Sequence, residues 1–153
     1  MSRKPNENWF SPEFWDKLNA VWRDRIQVLL EDLTGLGGLE WTVILDPNGA
    51  LLTRVIGPGG GILPESEVPS LARYAKLAKA LGQAWTAVGE QEPSHIVEEF
   101  DNHLVFTGFV SDLVIVVAFG EGIARGAVVM RLTKRIKHLI SLQKNRERGA
   151  LYV

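Results

Sequence analysis

Seven residues, Leu113-Val114-Ile115-Val116-Val117-Ala118-Phe119, constrain this chain more than any other stretch. The run is wholly apolar and rich in β-branched side chains, with none of the polar alternation of a half-solvated strand. Such a strand needs cover on both faces, which predicts the centre of a sheet. It is also the longest unbroken apolar run, far short of the roughly 18 residues that would indicate a membrane span.

The neighbouring segments read as partners for that strand. Trp41-Thr42-Val43-Ile44-Leu45 and Ala50-Leu51-Leu52-Thr53-Arg54-Val55-Ile56 flank Asp46-Pro47-Asn48-Gly49. Asp first, Pro second and Gly fourth are the residues a type I turn favours, so these segments predict a hairpin. Ser94 to Phe100 and His103 to Phe109 flank Asp101-Asn102, two residues that tolerate positive φ, and predict a second hairpin with Phe100 opposite His103 and Glu98 opposite Val105.

Three helices complete the pattern. Ser11-Pro12-Glu13 supplies a hydroxyl cap, a first-turn proline and an acid at the positive helix end, with Phe10 and Trp15 placed as a staple. Apolar residues at helical spacing then run from Phe14 to Leu33, and Gly35 marks a stop, so the first helix spans about 12 to 34. The second starts near Ser66 to Pro69 and reaches about Val88. Its apolar residues Leu71, Tyr74, Ala75, Leu77, Ala78, Leu81, Trp85 and Val88 cover an arc of roughly 160°, wider than a stripe of about 100°. Such a helix either covers more than its own sheet or lies deep within one chain. Small residues at Ala75, Ala78 and Gly82 would let another helix approach closely. The last helix runs from near Ile123 to about Lys144, with Met130, Ile136, Leu139 and Ile140 on its apolar side. The expectation is an α+β fold in one domain: a five-stranded antiparallel sheet packed by three helices, in the order α-β-β-α-β-β-β-α.

Composition narrows the function classes. With 153 residues, 46% hydrophobic and 23% charged, and a mean hydropathy of +0.03, the chain can bury a core and suits a single domain. It has no cysteine, which removes disulfides, thiol nucleophiles and cysteine-based metal sites, and favours a cytoplasmic location. The basic start has no apolar stretch behind it, so no signal peptide is visible. The net charge of −1 hides an asymmetry: residues 131–148 carry seven basic residues and Glu147, and residues 89–121 carry seven acids with no Lys or Arg. The basic end reads as a solvated helix face, or as a surface that steers a charged partner or touches an anionic membrane or nucleic acid.

No chemistry-bearing motif emerges. Gly57-Pro58-Gly59-Gly60-Gly61 lacks the Lys-Ser/Thr ending of a phosphate loop and reads as a flexible connection, and Gly120-Glu121-Gly122-Ile123-Ala124-Arg125 has arginine where a dinucleotide fingerprint wants glycine. His95, His103 and His138, without cysteine, are poor material for a metal site, even with Glu98 and His103 on one hairpin. There is no nucleophile elbow. The basic helix lacks interleaved aromatics, which argues against nucleic-acid binding. No catalytic residue, metal or cofactor is expected, and the tryptophans at 9, 15, 22, 41 and 85 read mainly as core anchors, Trp9 being a candidate docking residue.

The order of elements resembles the roadblock/dynein light chain family. The resemblance rests on residues 41–52 as apolar strand, Asp-x-x-Gly turn and second strand, on the alanine- and leucine-rich second helix, on Leu113 to Phe119, and on Gly126-Ala127-Val128-Val129-Met130-Arg131-Leu132 opening the last helix. It covers roughly residues 12–144, leaving 1–11 as an N-terminal extension and 145–153 as a basic tail. What it implies is a roadblock/profilin-like fold and a non-enzymatic homo- or heterodimer serving a small Ras-like GTPase as scaffold, exchange factor or activator, as in the bacterial gliding-motility GTPase regulators. Carried over, the dimer contacts would be Leu71, Tyr74, Ala75, Ala78, Leu81 and Trp85 on the second helix and His95, Ile96, Val97 and Glu98 on the third strand. The GTPase would lie on a surface shared by the paired second helices, with Arg73, Lys76 and Lys79 as polar contacts. Two other readings stand beside it: a sensor or small-ligand module with no GTPase partner, and a binder of anionic lipid or nucleic acid through the basic tail.

Overall fold

The computed structural model describes Asp16 and residues 20–35, 37–57, 59–110 and 113–144. The Ser11-Pro12 cap, the Phe10–Trp15 staple, Trp9 and the tail beyond Lys144 lie outside the described residues. The elements are α1 (Ala20–Thr34), β1 (Leu39–Leu45), β2 (Leu51–Ile56), α2 (Val68–Ala87), β3 (His95–Glu99), β4 (Leu104–Val110), β5 (Leu113–Phe119) and α3 (Arg125–Lys144), with a 3-10 turn at Glu65–Glu67 leading into α2. The five strands form one antiparallel sheet in the order β2-β1-β5-β4-β3. β5 is central and every one of its residues is buried, as a run without polar alternation requires.

Side-chain alternation along β5 divides the interior into two layers. Leu113, Ile115, Val117 and Phe119 point to one face, where Ile26, Leu29, Leu30 and Leu33 of α1 and Val128, Leu132, Ile136 and Leu139 of α3 close over them. Val114 and Val116 point to the other face and pack with Val43, Leu45, Leu63 and Ala75 under α2. Within the described residues two helices therefore cover one face and a single helix the other. The cover on the α2 side is correspondingly thinner.

The first turn forms as its residues dictate. The Asp46 carbonyl accepts from the Gly49 amide at 2.9 Å, and its carboxylate accepts from the Asn48 and Ala50 amides, both at 2.9 Å. Gly49 has φ +88°, and a Cβ there would stand 2.7 Å from the Ala72 carbonyl oxygen, so the turn also seats the backbone of α2. In the second hairpin Glu98 faces Val105 as the turn chemistry predicts, the Phe100 amide donates to the His103 carbonyl at 2.8 Å, and the two rings stack at 4.3 Å. Arg125 at the start of α3 ties down this hairpin, donating to the Phe100 carbonyl at 2.7 Å.

Two expectations are corrected by the fold. The glycine-rich segment is a closed turn rather than a loose connection: the Gly57 amide donates to the Gly61 carbonyl and the Gly60 amide to that of Gly57, which uses amides a phosphate would need. Met130 is 73% exposed instead of joining the apolar side of α3. At 100° per residue it falls roughly opposite the row Val128-Leu132-Ile136-Leu139 that meets the sheet.

Candidate functional site

The surface that stands out is the outer flank of α2 together with the edge strand beside it. Leu77, Leu81, Trp85 and Val88 are 69%, 47%, 50% and 71% exposed. Spaced at i, i+4, i+8 and i+11, they form one stripe along about three turns, ending at Val88, the residue that caps the helix. An exposed apolar strip of this length is what makes this face the candidate interaction surface. The broad apolar arc of this helix is thus divided. Ala75 and Ala78 are 0% and 4% exposed, and with Gly82 they sit beneath the helix against its own sheet. The small residues permit close approach of helix to sheet, so Ala75 and Ala78, carried over from the family resemblance as dimer contacts, are buried against this chain's own sheet.

Leu71 and Tyr74 occupy the boundary. Both are half-buried and pack on the smaller core layer. The Tyr74 hydroxyl meets Thr107 Oγ1 of β4 at 2.9 Å. Burial, with a smaller contribution from Glu98 of β3, pushes the Tyr74 phenol up to about 12, so it stays a neutral hydroxyl. With Trp41, Leu63, Glu98, Phe100 and Val105 these residues line an open groove of about 420 Å³ running from α2 to the edge strand. Arg73, Lys76 and Lys79 are all exposed on α2, with Lys79 on a second, smaller groove of about 220 Å³ alongside Pro47, Gly82, Pro93 and Phe109.

β3 ends the sheet, and within the described residues its outer backbone edge pairs with no strand. Its side chains alternate between the two faces. Ile96 and Glu98 lie on the α2 face, with Glu98 in the groove, whereas Val97 packs on the larger core layer and His95 turns toward α3. The His95 ring stacks on Phe106 at 5.3 Å, its Nδ1 is 2.8 Å from Ser94 Oγ and its Nε2 3.4 Å from Thr133 Oγ1. Strand pleating therefore splits the four β3 residues between opposite faces. What all four share is the backbone edge.

Burial, and then the nearby Lys137 ammonium, lower the His95 pKa from its ordinary 6.5. A histidine whose folded pKa is depressed contributes stability that is complete above the unfolded value and is lost as pH falls from that value to the folded one, because the unfolded chain binds the proton more readily. Denaturant midpoints measured between about pH 7.5 and pH 5 should fall more steeply for the native chain than for His95→Gln. Equal slopes would show that His95 contributes nothing to the pH dependence.

The described residues hold no group of three or more His, Asp or Glu side chains placed to bind a metal. No helix in them is long and apolar enough to cross a membrane.

Among the described residues, three helices on a five-stranded antiparallel sheet, one helix on one face and two on the other, define a roadblock-type fold. No family model matches the sequence, and no curated protein matches it. Solved structures do. The gliding protein MglB of Thermus thermophilus superposes with a TM-score of 0.62 at 16% identity, covering 91% of this chain and 96% of that one. MglB of Myxococcus xanthus gives 0.57 at 20% identity, covering 76% and 90%. A Roadblock/LC7 domain from Streptomyces avermitilis gives 0.55 at 18%, covering 69% and 86%. At these identities the likeness is one of fold.

Proposed function

We propose that this protein is a roadblock-domain adaptor of the MglB type: a non-enzymatic, cytoplasmic homodimer that regulates or scaffolds a small Ras-like GTPase. The observation that carries the reading is the exposed stripe Leu77-Leu81-Trp85-Val88 lying beside an unpaired sheet edge. Two copies related by a twofold axis would bury the stripes against each other and extend the sheet through β3. Leu81 and Trp85 would be the central anchors, flanked by Leu71 and Tyr74, with the backbone of His95, Ile96, Val97 and Glu98 at the strand junction. Arg73, Lys76 and Lys79 would then rim a surface shared by the paired helices, where the GTPase docks.

The experiment combines solution mass with partner capture. The native chain should sediment at twice its 17.0 kDa mass. It should also retain a Ras-like GTPase from lysate of its source organism in one of two nucleotide states, GTP analogue or GDP. Leu81→Asp places a charge at the centre of the proposed contact, and because Leu81 is half-exposed in the single chain the fold should survive. That variant should sediment as a monomer with an unchanged far-ultraviolet spectrum and lose the GTPase. A variant that remains dimeric and captures the GTPase normally would sink the reading.

A further inference from the structure

A second surface lies on the opposite side of the sheet and does not rest on the dimer reading. α3 carries no Asp or Glu anywhere in its sequence. Arg131, Lys134, Arg135 and His138 line a groove of about 390 Å³. Both arginines converge on one carboxylate, Asp32 of α1, Arg135 Nε at 2.5 Å and Arg131 Nη2 at 3.8 Å. A single carboxylate holds two guanidiniums in place yet neutralises only one of them, so with Lys134 the groove keeps a net charge of +2. A further ammonium, Lys137, lies on the same exposed side of the helix, and within the described residues neither Lys134 nor Lys137 has an ion-pair partner.

Met130 supplies the second observation. Among the described residues it is the most exposed of the large apolar side chains, at 73%, and it stands between Lys134 and Lys137 on this face. At 100° per residue Lys134 falls about 40° to one side of it and Lys137 about 20° to the other. An apolar side chain flanked by unpaired cations is the arrangement of an interfacial helix, whose cations meet headgroup phosphates while its apolar residue enters the acyl boundary. Nucleic acid fits less well, since no aromatic on this face offers a stacking platform and Met130 would be pressed against a phosphodiester backbone.

We infer that the outward face of α3 docks on an anionic phospholipid bilayer, with Arg131, Lys134 and Lys137 on headgroup phosphates and Met130 inserted among the chains. Docked this way, the protein would still present α2 and the β3 edge, which belong to the other face of the sheet and its rim.

Cosedimentation of the full chain with vesicles tests this. It should pellet with phosphatidylcholine–phosphatidylglycerol vesicles but not with pure phosphatidylcholine, and added salt should release it. Lys134→Gln with Lys137→Gln should weaken binding about thirtyfold, from the roughly fivefold that each cation contributes near an anionic surface. Met130→Ser should weaken it about threefold, a loss that pure charge attraction would not show. All three positions are exposed, so the melting temperature of each variant should match that of the native chain. The inference is overturned by absence of vesicle binding, by equal binding to both vesicle types, or by anionic binding indifferent to salt or to the lysine pair. Equal affinity for duplex DNA together with an inert Met130→Ser would overturn it in favour of a nucleic-acid surface.

Discussion

Phe106→Ala should destabilise the domain by about 4 kcal/mol, the range expected when a fully enclosed phenyl ring is removed. Phe106 is 1% exposed on β4, between Val97 of β3 and Val117 of β5, in the layer shared with α1 and α3. Its ring is also the platform on which His95 stacks. Truncation therefore leaves a cavity beneath the edge strand and removes the contact that holds His95 against α3. For a domain whose total stability is about 5–15 kcal/mol, a loss of this size takes a large share of the whole. Chemical denaturation of both proteins measures it directly. A loss below about 1 kcal/mol would mean that the layer collapses around the missing ring and that this part of the core is looser than its burial implies.

The second large effect comes from a backbone contact. Gly49 and Gly60 have nearly the same positive φ, +88° and +85°, but a Cβ at Gly60 meets open space while one at Gly49 meets the Ala72 backbone, its carbonyl oxygen at 2.7 Å and its Cα at 3.1 Å. Gly60→Ala should therefore cost only the left-handed conformation, about 1 kcal/mol. Gly49→Ala adds a collision with a helix backbone that cannot rotate away, for a total of about 3 kcal/mol. The pair isolates the cost of pushing α2 off the first hairpin. Displacing α2 would also move the Leu77-Leu81-Trp85-Val88 stripe, so Gly49→Ala should weaken the self-association proposed for that stripe at protein concentrations where the Gly60 variant is unaffected. Equal stability losses in the two variants would show that the turn and α2 are not mechanically coupled.

These two sites differ in how far they could be read in advance. Gly49 was legible as the fourth residue of Asp46-Pro47-Asn48-Gly49, because turn chemistry is local. Its contact with Ala72 was not, because it joins segments more than twenty residues apart in sequence. The register of the second hairpin, Glu98 opposite Val105, followed from the two-residue turn at Asp101-Asn102 for the same local reason. The breadth of the apolar arc on the second helix was also local, being a matter of spacing at 100° per residue.

Other features needed the assembled molecule. Within that broad arc, periodicity treats Ala75 and Leu81 alike, and only docking on the sheet buried the first and left the second half-exposed. Docking favours the small side chains beneath the helix because they allow close approach, which turns the large ones outward. His95 and Glu98, three apart on β3, alternate to opposite faces, and which of those faces meets α3 and which meets α2 was decided by how the helices cover the sheet. The pairing of Asp32 with Arg131 and Arg135 joins residues about a hundred positions apart and required α1 and α3 to lie on the same face.

By itself the sequence determined the element order, the central place of β5 and both hairpin turns, because these depend on side-chain periodicity and on backbone preferences over a few residues. Which face of each helix is free, where the cations gather around a single carboxylate, and which apolar residues remain uncovered were decided only by tertiary packing, since burial is a property of distant segments meeting and not of any segment alone.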